Sequence, residues 1–157
     1  MVYGPKLIPL ISWKNSCVKN NPHTLKIMLQ NSKAFGSFST NNIEDAREFY
    51  GNTLGLNVKD NPMDILEVHF PGDSHIIIYP KPDHRPAVFT VLSFPVKDID
   101  QAVDGLIAKG VTMERYEGFK QDEKGIVRSE SAEQGPSIAW FTDPAGNILS
   151  VLEDNYR

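Results

Sequence analysis

At 157 residues the chain fits one ordinary domain, which buries roughly 70% of its unfolded surface and needs no metal or disulfide merely to fold. A net charge of −4 with scattered Lys and Arg argues against a nucleic-acid partner, and no run approaches the ~20 apolar residues of a membrane span. One cysteine, Cys17, leaves no internal disulfide and no cysteine-based metal site, so the expected compartment is cytoplasmic.

Residues 1–27 carry Pro5, Pro9 and Pro22, an Asn-rich stretch and no sustained period of 2 or 3.6, and read as an N-terminal appendage to a domain over 28–157. Met28 stands directly before the first orderly element. A chain beginning at Met28 is expected to stay folded, its melting temperature lowered by no more than a few degrees, the scale of about 1 kcal/mol. Insolubility or a far lower melting temperature would place Leu7, Ile8, Leu10, Ile11 and Trp13 in the core.

From Ala34 to Thr40 the side chains alternate as in a strand. Asn42 suits a helix N-cap, with Glu44 and Asp45 in the first turn. Ile43, Ala46, Phe49, Tyr50 and Leu54 recur at helical spacing over about three turns, and Gly55 is placed to stop the helix. Strand patterns follow at Leu56–Lys59, Ile65–Phe70 and His75–Tyr79, separated by turns rich in Pro, Gly, Asn and Asp. This βαβββ order occupies about residues 33–80.

Lys81–Pro86 reads as a connector, after which the order restarts 56 residues on: Phe38 matches Phe94, Ile43 matches Ile99 and Ala46 matches Ala102. Asp98 is the second N-cap, with Gln101 at the capping-box position, and Lys109-Gly110 ends the helix. Strands are expected at Val111–Tyr116, Ser137–Phe141 and Asn147–Leu152, completing a second module at about 87–154. The polar, glycine-punctuated segment Glu117–Gly135 is either a lid or a long hairpin connection.

Each helix must bury its apolar stripe on one sheet face, which leaves the other face to line a concavity. Gly36/Phe38 and Thr90/Leu92/Phe94 are assigned to the helix side, which sends Phe35, Ser37, Ser39, Phe89, Val91 and Ser93 to the concavity. Leu66, Val68 and Phe70 likewise leave Ile65, Glu67 and His69 on the open face. Trp140, Ile138, Ile148, Ser150 and Leu152 face the concavity by the same parity.

The run Asn42-Ile43-Glu44-Asp45-Ala46-Arg47-Glu48-Phe49-Tyr50, then Leu54-Gly55-Leu56, the repeat at Val96–Ala102 and Trp140-Phe141-Thr142-Asp143-Pro144-Ala145-Gly146-Asn147 together resemble the vicinal oxygen chelate superfamily. That superfamily contains glyoxalase I, bleomycin-resistance proteins, fosfomycin-resistance enzymes and extradiol dioxygenases. The resemblance spans about residues 33–154 and implies an α+β fold in which two βαβββ modules form a cup-shaped mixed sheet with helices outside and the ligand within. Enzymes of the superfamily chelate a divalent metal through His, Gln or Glu at four cup-facing places. Those places fall here on Phe35, on Ile78 or Tyr79, on Val91 and on Ser150. Hydrocarbon has no donor atom and a neutral serine hydroxyl is a poor ligand, so neither a metal nor another cofactor is expected.

The expected function is binding of a small apolar or aromatic organic molecule in the cup, with Phe35, Ser37, Ile78, Val91, Ser93, Trp140, Ile148 and Ser150 as its lining. Family habit adds a homodimer. The rival is a metal-free or atypical enzyme of lyase or dioxygenase type, in which Glu67 and His69, two apart on one strand face, act as base and orienter. The same pair also reads as a polar, solvent-wetted strand face. Arg115, Lys120, Lys124 and Arg128 either meet an anion or form a solvated loop.

Overall fold

The computed structural model describes residue 29 and residues 32–154, and the chain divides into two units, Met1–Ala34 and Phe35–Arg157. The appendage over 1–27 and the start at Met28 lie outside the described residues. In the first unit, the described feature is a turn in which the Ser32 N–H donates to the Leu29 carbonyl at 2.8 Å.

In the second unit, strand β1 (Gly36–Thr40) runs into helix α1 (Ile43–Arg47) through the expected cap: the Asn42 side-chain oxygen accepts from the Glu44 and Asp45 N–H groups at 3.0 and 3.3 Å. The helix then widens into a π-helical turn, Glu48–Thr53, where the sequence predicts continued α-helix. The wider turn ends on Gly55 at φ 71°, where Leu54 and Leu56 donate back to the Phe49 and Tyr50 carbonyls at 2.8 and 2.9 Å. Strands β2 (Asn57–Asn61), β3 (Ile65–Phe70) and β4 (Ser74–Pro80) complete the first module. Their sheet has the order β1-β4-β3-β2, with β1 parallel to β4 and the other pairs antiparallel.

The second module has β5 (Thr90–Val96), α2 (Ile99–Ala108), β6 (Ile138–Thr142) and β7 (Ile148–Glu153) in a sheet of order β5-β7-β6. Asp98 caps α2 by accepting from the Gln101 N–H at 2.9 Å. The strand expected over Val111–Tyr116 is reduced to one bridge, Met113 with Phe141, and a Glu114 N–H donated to the Trp140 carbonyl at 2.7 Å. Its backbone groups are taken by Gln121 instead. The Gln121 amide accepts from the Tyr116 N–H at 2.8 Å and donates to the Glu114 carbonyl at 2.9 Å, which bends the chain into the following loop. Within 117–135, Gln121 bridges Val127 and Val127 bridges Ile138, so this segment is a long hairpin connection.

Both helices pack on the faces that parity assigned to them. Ile43, Ala46 and Tyr50 of the first helix share a core with Leu66, Val68 and Ile78, and Ile99 and Val103 of α2 share it with Ala139, Phe141, Leu149 and Val151. Phe49 and Phe141 join the modules, their ring centroids 6.5 Å apart, as do Phe70 and Phe94 at 6.3 Å. The assignment of Ile78 to the ligand lining is corrected by this packing. Ile78 is fully buried, aligned with Phe38 and Leu66 on the helix side, so Ile77 and Tyr79 carry the open face of β4.

A second correction comes from a bulge in β5. Thr90 aligns with Ile148 and Leu92 with Leu149, so Val91 is the extra residue and Thr90 moves to the open face. Past the bulge, Ser93 and Pro95 align with Ser150 and Leu152, as the alternation implies.

Candidate functional site

A cleft of about 330 Å³ lies where β1 and the start of β5 approach each other. Ser37 and Ser39 of β1, Tyr79 of β4, and Phe89, Thr90 and Val91 line it. Its remaining wall is the connector between the modules, through Arg85 and Ala87, and the buried Asn147. The connector sits there because its side chains are bonded on both sides. The His84 ring nitrogens contact the Ser39 hydroxyl at 2.8 Å and the Ala145 carbonyl at 3.0 Å. Since a carbonyl only accepts, Nε2 carries the proton and Nδ1 accepts from Ser39 in the neutral ring.

The base of the cleft is tied to the Asp143–Asn147 turn. Asp143 is buried and accepts four hydrogen bonds: Tyr50 hydroxyl at 2.9 Å, Asn147 side-chain amide at 2.8 Å, and the N–H groups of Ala145 and Asn147 at 3.0 and 2.8 Å. The Asn147 amide also donates to the Ser39 carbonyl at 3.0 Å. Burial, with the Asp143 charge beside it, pushes the Tyr50 phenol far above its ordinary value, so it stays a donor at every working pH.

On the open face of the first sheet, three rings stack, from β3, β4 and the residue preceding β1. Phe35 lies 4.9 Å from His75, and His75 lies 5.7 Å from His69. Glu67 Oε2 is 3.3 Å from His69 Nε2, but off the hydrogen-bonding direction, so this buried nitrogen has no hydrogen-bond partner. The Asn61 amide, donating at 3.0 Å, and then His69 hold Glu67 below the usual carboxylate range.

The open face of the second sheet is separate in character. Ser150 is fully buried and donates to Ser93 at 2.9 Å, with Trp140 and Ile148 on the same side. Tyr116 and Phe119 cover Trp140 at ring distances of 5.6 and 5.4 Å. The structure therefore brings Ser37 and Val91 to the cleft, Phe35 to the histidine stack, Ser93, Trp140, Ile148 and Ser150 to the second face, and Ile78 to the core. Sequence reasoning missed Arg85, Thr90 and Asn147 as lining. The available signal was a His-Arg pair held between Pro82 and Pro86.

Of the four cations around the long connection, Lys124 and Arg128 are engaged by α2. Arg128 pairs with both Asp100 oxygens at 2.5 and 2.9 Å, and Lys124 reaches Asp104 at 2.8 Å. Arg115 donates to the Asp122 and Glu123 carbonyls. The Arg128 guanidinium, then Lys124, hold Asp100 well below the ordinary carboxylate range. A depressed folded-state value means that this tie is complete above the unfolded value of about 3.9 and is lost as pH falls below it. Protection factors over residues 117–135, with exchange referred to its intrinsic rate at each pH, are therefore expected to fall between neutral pH and pH 3, and added salt should weaken the tie at neutral pH. Protection that is independent of both would remove the ion pairs from the account.

The residues at the four places where the resembled enzymes hold metal do not fit a divalent ion. Phe35 and Val91 offer carbon, Ile78 is in the core, its alternative Tyr79 offers a lone neutral phenol and Ser150 is bonded to Ser93. Among the described residues, no three His, Cys, Asp or Glu side chains gather at metal-binding spacing. No helix among the described residues is long and apolar enough to cross a membrane.

The sequence model for the Glyoxalase/Bleomycin resistance protein/Dioxygenase superfamily matches residues 34–151. Solved structures agree in fold. A glyoxalase family protein from Enterococcus faecalis is 19% identical, with a TM-score of 0.57 over 80% of this chain and 100% of its own. An antibiotic binding protein from Streptomyces sp. CB03234 is 22% identical, with a TM-score of 0.55 over 78% and 96%. A member of the same superfamily from Sphaerobacter thermophilus is 25% identical, with a TM-score of 0.54 over 77% and 97%. No curated protein matches the chain.

Proposed function

The chain belongs to the glyoxalase/bleomycin resistance protein/dioxygenase superfamily, and from that premise we propose that it binds a small, largely apolar or aromatic organic molecule without a metal ion. The observation that carries this reading is the replacement of the donor set by Phe35, Val91 and the Ser150–Ser93 pair, together with a cleft of about 330 Å³ that Val91 lines. That volume lies at the lower end of the roughly 300–1,000 Å³ usual for small-molecule sites. An antibiotic binding protein among the similar folds adds a precedent for a binding role, at an identity that leaves the ligand to be argued from the site. The protein acts in the cytoplasm as a homodimer on this reading. Light scattering that gives the monomer mass at tens of micromolar would remove the dimer without touching the site.

The test is calorimetric titration and thermal shift against a panel of aromatic metabolites and drugs, run with elemental analysis of the purified protein. Saturable binding with metal content far below one ion per chain is expected. A stoichiometric metal that is lost on replacing Glu67 or His69 would overturn the reading. Silence across the panel, with no turnover of α-ketoaldehyde hemithioacetals or catechols, would favour a scaffold role.

The alternative, an atypical enzyme of lyase or dioxygenase type using Glu67 and His69, draws on their 3.3 Å approach. It requires turnover that disappears in Glu67→Gln and His69→Ala while ligand binding persists.

A further inference from the structure

The charge of the cleft is carried by one residue. Among the described residues that line it, Arg85 is the single ionised side chain, in a chain whose net charge is −4. Its neighbours on the connector have partners: Lys81 pairs with Asp83 at 2.8 Å, and His84 is bonded to Ser39 and Ala145. Arg85 makes no hydrogen bond or ion pair with any described residue. A guanidinium left with five unassigned donors beside an apolar recess is equipped to take a planar anion.

The backbone on both sides of Arg85 is held. His84 precedes it, fastened across the cleft floor. Pro86 follows it and packs so closely on the Asp143–Asn147 turn that a Cβ placed on Gly146 would meet the proline ring at 3.2 Å. The arginine thus projects from a short, doubly anchored segment, which reduces the ordering cost of binding. In the same cleft, Tyr79 and Phe89 offer ring surface, 37% and 66% exposed, and Ser37 offers a hydroxyl.

We propose that the ligand of this cleft is an aromatic carboxylate, its anionic group on the Arg85 guanidinium and its ring against Tyr79 and Phe89. This specifies the ligand class within the binding reading above and rests on it. An anion paired bidentately with arginine gains geometric selectivity as well as energy, while the rings supply contact of aromatic quality. The uncharged amide of the same molecule keeps the ring contacts and loses the charge-assisted pair.

The probes are 2-naphthylacetate and 2-naphthylacetamide, titrated into the full chain and into Arg85→Ala and Arg85→Lys, with affinity read from amide shifts at Ser37–Ser39 and Phe89–Val91. The acetate is expected to bind the parent chain about tenfold or more tighter than the amide. Arg85→Ala should abolish that preference while leaving amide binding within about twofold, and Arg85→Lys should restore only part of it. Because Arg85 is exposed and holds no described partner, the variants should melt as the parent does, and a melting curve checks this. Equal binding of both probes, unchanged in Arg85→Ala, would overturn the carboxylate assignment and leave the binding reading standing. Absence of shifts at these amides with either probe would overturn both for this cleft.

Discussion

Asp143→Ala is expected to destabilise the domain by about 3–5 kcal/mol, because one buried carboxylate serves four donors and each hydrogen bond to a charged group is worth about 1.5–3 kcal/mol, not additively. The four are the Tyr50 hydroxyl, the Asn147 amide and the N–H groups of Ala145 and Asn147. A methyl group satisfies none of them, and water does not readily replace the acceptor at a side chain that is 4% exposed. For a domain of this size the melting temperature should fall by roughly 10–20 °C. Tyr50→Phe should cost less, about 1–2 kcal/mol, since Asp143 keeps three of its donors. Thermal denaturation of the two variants checks the order. If Asp143→Ala melts no lower than Tyr50→Phe, the junction is not organised by the carboxylate. The loss would also reach the cleft, because the same turn positions Asn147 on the Ser39 carbonyl and Ala145 on His84.

Phe141→Ala should cost a comparable 3–5 kcal/mol through a different physical route. Phe141 is fully buried on the helix side of β6, in register with Leu149 and bridged to Met113, and it meets Phe49 of the other module. It also borders an open apolar groove of about 180 Å³ lined by Leu54, Leu56, Phe94, Leu106 and Val151. Walls drawn from two modules, β-strands and helices have little freedom to collapse into the space that truncation leaves. Phe141→Leu keeps most of the volume and should stay below about 2 kcal/mol. Denaturant midpoints at unchanged slope would establish the difference. Near-equal midpoints for the two variants would show that the neighbourhood relaxes freely.

The residues that carried the family resemblance turn out to hold this junction together. Tyr50 and Phe49 end the first helix, Phe141 and Asp143 surround the last turn, and the contacts between them span the two modules. They were legible in the sequence as motifs but not as partners, because 93 residues separate Tyr50 from Asp143 and no local period links them. The chemistry at the superfamily's metal-holding places was legible too, since Phe35 and Val91 carry only hydrocarbon and Ser150 only a neutral hydroxyl wherever the chain places them. Their grouping was not. A single bulge at Val91 and a parity set by pairing with β3 moved Thr90 outward and Ile78 into the core.

Local alternation, caps at Asn42 and Asp98, and the 56-residue repeat were sufficient for the sequence by itself to determine the two modules, their helices and most buried faces. These features depend on neighbours within one or two turns, where backbone sterics and apolar spacing decide the outcome. The Val111–Tyr116 strand failed because Gln121, seven residues from Glu114, competes for its backbone groups. Only the tertiary structure decided the cleft. The connector becomes a wall because His84 bonds residues 45 and 61 positions away, which sets Arg85 at an opening that no short stretch of sequence encodes.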